Sequence, residues 1–354
     1  MNTAGGRLYR AVRARGGDII SVVGLAKNVG KTTALNALIA GARAEGLTLG
    51  LTSTGRDGEA SDILTRLPKP AITAAAGTLV ATAADVLRAG SARLVPVEAT
   101  GEVTCLGEVL IARCEAAGTV QLVGPDTMPG VGRAAAGLRA HGAELAFIDG
   151  AFDRVASAAP AVSAGTVLAT GAALDPVQAT VVGRTALAIE QFQIPPASAG
   201  VAALAAVSIT RRRVAVLGRG GWRELDVPTA LGQAEALAAA MPAGTEAVAF
   251  GGALTQGVLE GLLAAGVVRA GLELVVADAT RIFCGPGTWG KLKRAGAKLT
   301  ALSPIRLLAV TVNPWSPASA GFPAGPFLEA IALTAGPLPV CDLVADIWRE
   351  GDAA

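Results

Sequence analysis

One histidine, one tyrosine and four cysteines in 354 residues leave this chain short of the side chains from which many catalytic and metal sites are built. His141 is that histidine, so a Ser-His-Asp triad could be assembled only around it, and a histidine-rich metal centre not at all. It lies at the end of a helix-like stretch, where an imidazole commonly faces the negative end of the helix dipole. Cys105, Cys114, Cys284 and Cys341 contain no C-x-x-C pair and read as scattered buried thiols of a reducing compartment, not as zinc ligands. Aromatic residues make up 3% and the formal net charge is +2, so the chain offers neither stacking platforms nor a basic field for nucleic acid. No apolar run approaches the roughly 20 residues of a membrane span. The longest, residues 199–209, ends in Arg211, Arg212 and Arg213. Residues 1–17 carry Arg7, Arg10, Arg13 and Arg15 with no apolar segment behind them, which argues against a secretory signal and for a cytoplasmic protein.

What is abundant is small and apolar. Hydrophobic residues are 52%, charged residues 16%, glycines number 45, and the mean hydropathy is +0.51, so a large core can be buried and disorder is excluded. The length fits two domains.

Short β-rich runs alternate with helical runs in the first part of the chain, the pattern of a parallel sheet with crossover helices. Residues 18–23 read as a buried first strand. Residues 31–45 read as a helix, with Leu35, Leu38, Ile39 and Ala42 on one stripe, ending at Gly46. A strand follows at 47–52. Four short strands at 77–82, 93–97, 107–112 and 119–123 lie too close together for helical crossovers and predict an antiparallel insertion. Alternation resumes with a helix at 130–140, strands at 145–148 and 166–169, and a helix at 176–192. Residues 194–200 combine two prolines with small residues and no periodicity, which places a domain boundary there. The expected domains are 1–195, binding nucleotide, and 200–354, a second α/β domain with strands at 213–217, 247–250, 272–277 and 307–312, separated by helices such as 231–240 and 256–265.

The strongest chemical signal is Gly24-Leu-Ala-Lys27-Asn28-Val29-Gly30-Lys31-Thr32-Thr33, set between a strand and an amphipathic helix. Turning from strand to helix within a few residues points successive backbone N–H groups into one concavity at the helix's positive end, where phosphate oxygens bind. Gly24 begins the phosphate-binding stretch and Gly30 permits close backbone approach. Lys31 is expected to reach the β/γ-phosphates, Thr32 to ligate Mg²⁺, and Thr33 to donate on the α-phosphate side. Five residues separate Gly24 from Gly30, one more than the common spacing.

Two acidic segments can complete such a site. Residues 143–149 form an apolar strand ending in Asp149, an arrangement that holds a Mg²⁺-bound water beside the phosphates. Asp153 is the alternative, unless it only pairs with Arg154. In Thr52-Ser-Thr-Gly55-Arg56-Asp57-Gly58-Glu59, Asp57 and Glu59 can orient water or metal and Arg56 can contact phosphate; a solvated turn is the bland alternative. Thr170-Gly171 follows a further strand where a base can sit. No Asn-Lys-x-Asp guanine signature is present, so ATP is favoured over GTP. In the second domain, Asp278, Arg281 and Asn313 follow strands and are candidates for a ligand or partner surface, while Trp315 between two prolines fits equally a rigid packed loop.

The Gly-x5-Gly-Lys-Thr spacing resembles dethiobiotin synthetase and the wider class of P-loop NTPases that includes the signal-recognition and MinD-type proteins. In many of that class a loop lysine crosses a dimer interface to the partner's γ-phosphate; Lys27, one position closer to Gly30 than that lysine, is the candidate here, and a homodimer the corresponding expectation. More specifically, Ile20-Ser-Val-Val-Gly-Leu-Ala-Lys-Asn-Val-Gly-Lys-Thr33, residues 52–59, Glu144-Leu-Ala-Phe-Ile-Asp-Gly150 with Asp153-Arg154, and Thr311-Val-Asn-Pro-Trp-Ser-Pro317 are similar to the P-loop subunit of the reactivating factors of lysine 5,6-aminomutase. That resemblance implies Mg-ATP binding and slow, partner-stimulated hydrolysis that releases damaged cobalamin from an adenosylcobalamin-dependent aminomutase, together with a companion ATPase subunit. The chain lacks the cobalamin-ligating Asp-x-His-x-x-Gly pattern, since Arg139 stands two before His141, so it is expected to act on a cobalamin enzyme without ligating cobalt through histidine.

Two other classes compete. One is an ATP-dependent small-molecule ligase or kinase like dethiobiotin synthetase, with its acceptor between residues 52–59 and 149–154. The other is a nucleotide-binding adaptor or metallocentre chaperone with little turnover.

Overall fold

The computed structural model describes residues 2–55, 70–150, 155–227 and 229–351. The chain forms two compact units, Met1–Ala186 with Arg306–Ala354, and Leu187–Ile305. The first runs α1 (Ala4–Arg15), β1 (Ile19–Gly24), α2 (Lys31–Ala44), β2 (Leu49–Ser53), β3 (Ile72–Ala74), β4 (Leu79–Ala83), β5 (Arg93–Thr104), β6 (Gly107–Ala116), β7 (Gly118–Val120), α3 (Met128–Ala140), β8 (Leu145–Asp149) and β9 (Gly165–Gly171). Helix α4 (Gln178–Phe192) carries the chain into the second unit, with α5 (Ala199–Thr210), β10 (Val214–Gly218), β11 (Gly221–Glu224), α6 (Ala234–Ala240), β12 (Ala247–Phe250), β13 (Leu254–Thr255), α7 (Gln256–Ala264), β14 (Glu273–Val276), β15 (Ile282–Phe283), α8 (Pro286–Ala295) and β16 (Lys298–Ala301). The chain then returns to the first unit through β17 (Leu307–Asn313), α9 (Ala324–Ala335), β18 (Val340–Asp342) and β19 (Ile347–Arg349).

Ten strands of the first unit pair in the order β19-β18-β17-β9-β1-β8-β2-β4-β6-β5. From β18 to β4 every pairing is parallel. Strands β1, β2, β8 and β9 are buried along almost their whole length because helices cover both faces. Side chains alternate across them. Ile20, Val22, Leu49, Leu51, Leu145 and Phe147 pack with Leu35, Leu38 and Ile39 of α2 and Leu8 and Val12 of α1. On the other face, Ile148 packs with Val131 and Ala135 of α3, and Leu79 and Ala81 with Ala134 and Leu138. Helices α1 and α2 approach closely at Gly41, where a Cβ would fall 2.3 Å from the Tyr9 ring.

The antiparallel insertion expected at 77–123 is narrower than the sequence reading. Strand β4 joins the parallel core beside β2, β6 and β5 continue the same sheet antiparallel to it as a long hairpin, and β7 pairs antiparallel with β3 in a separate two-stranded sheet. Residues 1–17, read only for charge, contain α1, which buries Ala4, Leu8, Tyr9 and Val12.

The second unit holds a sheet of order β11-β10-β12-β14-β16, parallel from β12 to β16. The expected boundary at 194–200 is displaced by the chain itself. Pro195 lacks an N–H but its carbonyl accepts from Ala301, and Ala197 donates back to Ala301, so the proline segment lies along β16 inside the second unit. Residues 306–354, read as part of the second domain, instead pair through β17 with β9. Local alternation cannot reveal such a return, because β17 is equally apolar whichever sheet it completes. No helix among the described residues is long and apolar enough to cross a membrane.

Candidate functional site

Five adjacent parallel strands, β2, β8, β1, β9 and β17, finish at one edge of the first unit's sheet, as the registers Ser53–Asp149, Val22–Asp149, Gly24–Ala169 and Gly171–Asn313 show. From β1 the chain proceeds to β2 on one side, and from β9 it returns as β17 on the other. The crevice outside the carboxyl ends at such a reversal is where open α/β sheets hold ligands. Residues 24–33 occupy that position.

Gly24 ends β1. A Cβ there would meet Val29 Cγ2 and Lys31 Cγ, each at 2.8 Å, so the loop folds back over its own strand and the Lys31 stem lies across the glycine. The Leu25 N–H donates to the Ala169 carbonyl at 3.0 Å. Ala26 and Val29 are buried against Ala169, Ala173 and Leu174, which anchors the apolar side of the loop on β9. Asn28 and Gly30 adopt positive φ of 61° and 90°, a conformation asparagine and glycine tolerate best. Gly30 then caps α2 with no side-chain hydrogen bond, so the first turn's N–H groups receive no oxygen from the cap residue. Lys27, Lys31 and Thr32 are partly exposed. Thr33 lines a cavity of about 450 Å³ between α1 and α2, with Tyr9, Ala37 and Gly41.

Asp149 ends β8 and is buried. It follows Leu145 and Phe147 in the two-residue alternation, so its carboxylate is on the α2 face, the side from which the helix start carries Lys31 and Thr32. Its carbonyl accepts from Thr54 N–H at 3.1 Å, tying β8 to the segment after β2. Arg56, Asp57, Glu59, Asp153 and Arg154 lie outside the described residues.

Thr170 does not face the loop: its hydroxyl bonds Thr185 of α4 at 2.7 Å on the opposite face. Gly171 is a close-approach position, since a Cβ would come 2.3 Å from the Asn313 carbonyl oxygen. Asn313, grouped in the sequence with Asp278 and Arg281, is separated from them by the fold. It ends β17 in the first unit and donates from Nδ2 to the Asn28 carbonyl at 2.8 Å. Asp278 belongs to the second unit and accepts from the Thr280 N–H and hydroxyl, a local turn; Arg281 is exposed there. Trp315, weighed as a packed loop, is 52% exposed.

The structure adds residues that the sequence reading missed. Gly124 lies so close to Ser53 that a Cβ would fall 1.7 Å from the Ser53 carbonyl, and its N–H donates to Ser53 Oγ. Ser157 is fully buried beside Gly150, with no hydrogen-bond partner for its hydroxyl among the described residues. Neither residue sits in a motif, so the sequence carried no signal for either.

His141 caps the C-terminus of α3, and its side chain pairs with Glu98. Cys114 and Cys341 are buried, Cys284 half-buried and Cys105 exposed, all free. Burial pushes the Cys341 thiol above its ordinary range, which keeps it protonated. No cluster of His, Cys, Asp or Glu among the described residues could hold a metal by itself.

No protein family, curated protein or solved structure in the comparisons matches this chain.

Proposed function

We propose that this chain binds and hydrolyses Mg-ATP at residues 24–33, and that it does so as the ATPase subunit of a factor that reactivates an adenosylcobalamin-dependent lysine 5,6-aminomutase. The observation that carries the nucleotide reading is the loop itself. A Gly-Lys-Thr-Thr run starts α2 with no side-chain cap, at the reversal point of a parallel sheet, with the Asp149 carboxylate on the same face.

In this reading the N–H groups of the loop and first helical turn bind phosphate oxygens with the helix dipole behind them. Lys31 neutralises the β/γ-phosphates and Thr32 ligates Mg²⁺. Asp149 holds a Mg²⁺-bound water, and Asp57 and Glu59 orient the attacking water. Phosphoryl transfer needs positioning and charge neutralisation more than covalent chemistry, and these groups supply both. The single histidine is not required.

The reactivation reading rests on the resemblance of residues 20–33, 52–59, 144–150 and 311–317. A reactivating subunit must bind its target with different affinity in two nucleotide states, since nucleotide shifts an equilibrium only by differential binding. A tagged pull-down from native cytosol, with and without Mg-ATP, tests it. Nucleotide-dependent recovery of an aminomutase or a companion ATPase is the expected result. A clean bait, with ADP formed only in the presence of a small-molecule acceptor, would replace this reading with the ligase.

A further inference from the structure

Asn28 is a non-glycine residue in the left-handed region, and such a conformation persists only where surrounding structure holds it. Its apolar neighbour Val29 is pinned against Ala169 of β9. Its carbonyl is held by a residue 285 positions later, Asn313, whose Nδ2 donates at 2.8 Å. A peptide unit is planar and trans, so turning the Asn28 carbonyl toward Asn313 turns the Val29 N–H the opposite way. Without that bond the unit can rotate and present an oxygen where the loop otherwise presents a donor.

Asn313 is itself tightly placed. Pro314 restricts it to extended backbone, Gly171 leaves no room beside it, and its Oδ1 accepts from the Trp315 N–H at 3.2 Å. Strand β17 also begins where the Leu187–Ile305 unit ends, and β9 precedes the helix that leads into that unit. Strands β9 and β17, each of which hydrogen-bonds the loop, therefore flank the inserted unit in the chain.

We propose that Asn313 is a positioning residue for loop 24–33, fixing the Asn28–Val29 peptide and so linking nucleotide occupancy of the loop to the order of the strand that returns from the inserted unit. The proposal rests on the nucleotide reading of the loop. Linkage makes the coupling reciprocal: whatever holds β17 in place tightens nucleotide binding, and bound nucleotide holds β17 by the same factor.

Asn313→Asp isolates the bond. It preserves shape and the acceptor for Trp315 but replaces the donor with a carboxylate oxygen facing a carbonyl oxygen. Mg-ATP affinity is measured for the intact wild type, N313D and Lys31→Ala by calorimetry between pH 7.5 and 5, with melting temperatures alongside. Hydrogen exchange of the wild type is recorded with and without Mg-ATP. At pH 7.5, N313D should bind about tenfold or more weakly with a nearly unchanged melting temperature. The ratio of its dissociation constant to that of the wild type should narrow toward pH 5, as the acid form, with an ordinary pKa near 4, regains an O–H donor. In the wild type, nucleotide should protect residues 307–313 as well as 25–33. N313D affinity equal to wild type while K31A is impaired would overturn the positioning role and leave the nucleotide site standing. A defect independent of pH and matched by a fallen melting temperature would reduce Asn313 to a structural residue, and absence of protection at 307–313 would remove the link to β17 even if the variant did not fold. Wild-type affinity and turnover in K31A would defeat the site reading, and this inference with it.

Discussion

Glu273 offers the sharpest test of the packing argument in the second unit. This carboxylate at the start of β14 is almost fully buried and accepts three hydrogen bonds, from the Ser198 N–H at 2.9 Å, the Ser198 hydroxyl at 2.7 Å and the Thr300 hydroxyl at 2.9 Å, with Lys298 opposite in register. Burial pushes the carboxyl up, but those hydrogen bonds and Lys298 outweigh it and hold the group below the ordinary carboxylate range. Glu273→Gln turns one acceptor into an NH₂ that faces donors, losing at least one charge-assisted bond, which contributes about 1.5–3 kcal/mol. Glu273→Ala leaves all three donors without this acceptor, at about 1–3 kcal/mol for each that stays buried and unpaired. The sign of the pH dependence follows from the lowered folded value. The stabilisation is fully present above the unfolded Glu value near 4.3 and is lost as pH falls through the folded value, because the unfolded chain binds the proton first. Hydrogen exchange of the β14 and β16 amides reads the opening free energy of this unit directly, without assuming one two-state transition for both units. E273Q should lower it at pH 7, and the gap to wild type should close as the pH is brought down through 4. A variant within about 0.5 kcal/mol of wild type at pH 7, the range of an ordinary surface change, would refute the argument, as would a gap that persists into acid.

Lys31→Ala should abolish Mg-ATP hydrolysis and leave the circular dichroism spectrum and urea midpoint of the wild type; retained turnover would misplace the site. Asp149→Asn should reduce Mg²⁺-dependent turnover more than nucleotide affinity, and equal losses would remove Asp149 from the metal side. Gly41→Ala pits a helix-propensity gain of about 1 kcal/mol against a Cβ 2.3 Å from the buried Tyr9 ring, which Glu45 holds by a 2.6 Å hydrogen bond from its hydroxyl. Overpacking of this kind costs about 1–3 kcal/mol or more. The urea midpoint should therefore fall, and a rise would show that α1 can move aside.

Strand and helix alternation in the first unit was legible because its determinants are local. Apolar runs with glycine and proline punctuation gave β1, β2, β8 and β9, and the spacing of Leu35, Leu38, Ile39 and Ala42 gave α2. The loop at 24–33 was legible as a strand-to-helix turn for the same reason, a glycine-bounded segment with a Lys-Thr pair at a helix start. The close approach expected at Gly30 falls instead at Gly24, and Gly30 is needed for its positive φ. The position of Asp149 at the end of β8 was legible from the apolar strand that precedes it.

Only the tertiary structure decided where distant segments belong. The proline run at 194–200 looks like a linker by composition, yet its Pro195 carbonyl and Ala197 N–H give β16 a hydrogen-bonding neighbour. The apolar strand at 307–313 would suit either sheet, and pairing with β9, not its own pattern, assigns it. That assignment separates Asn313 from Asp278 and Arg281 and brings it to the Asn28 carbonyl. A hydrogen bond across 285 positions leaves no periodic trace in the residues between, because its energy depends on the meeting of two strand ends and not on the composition of either.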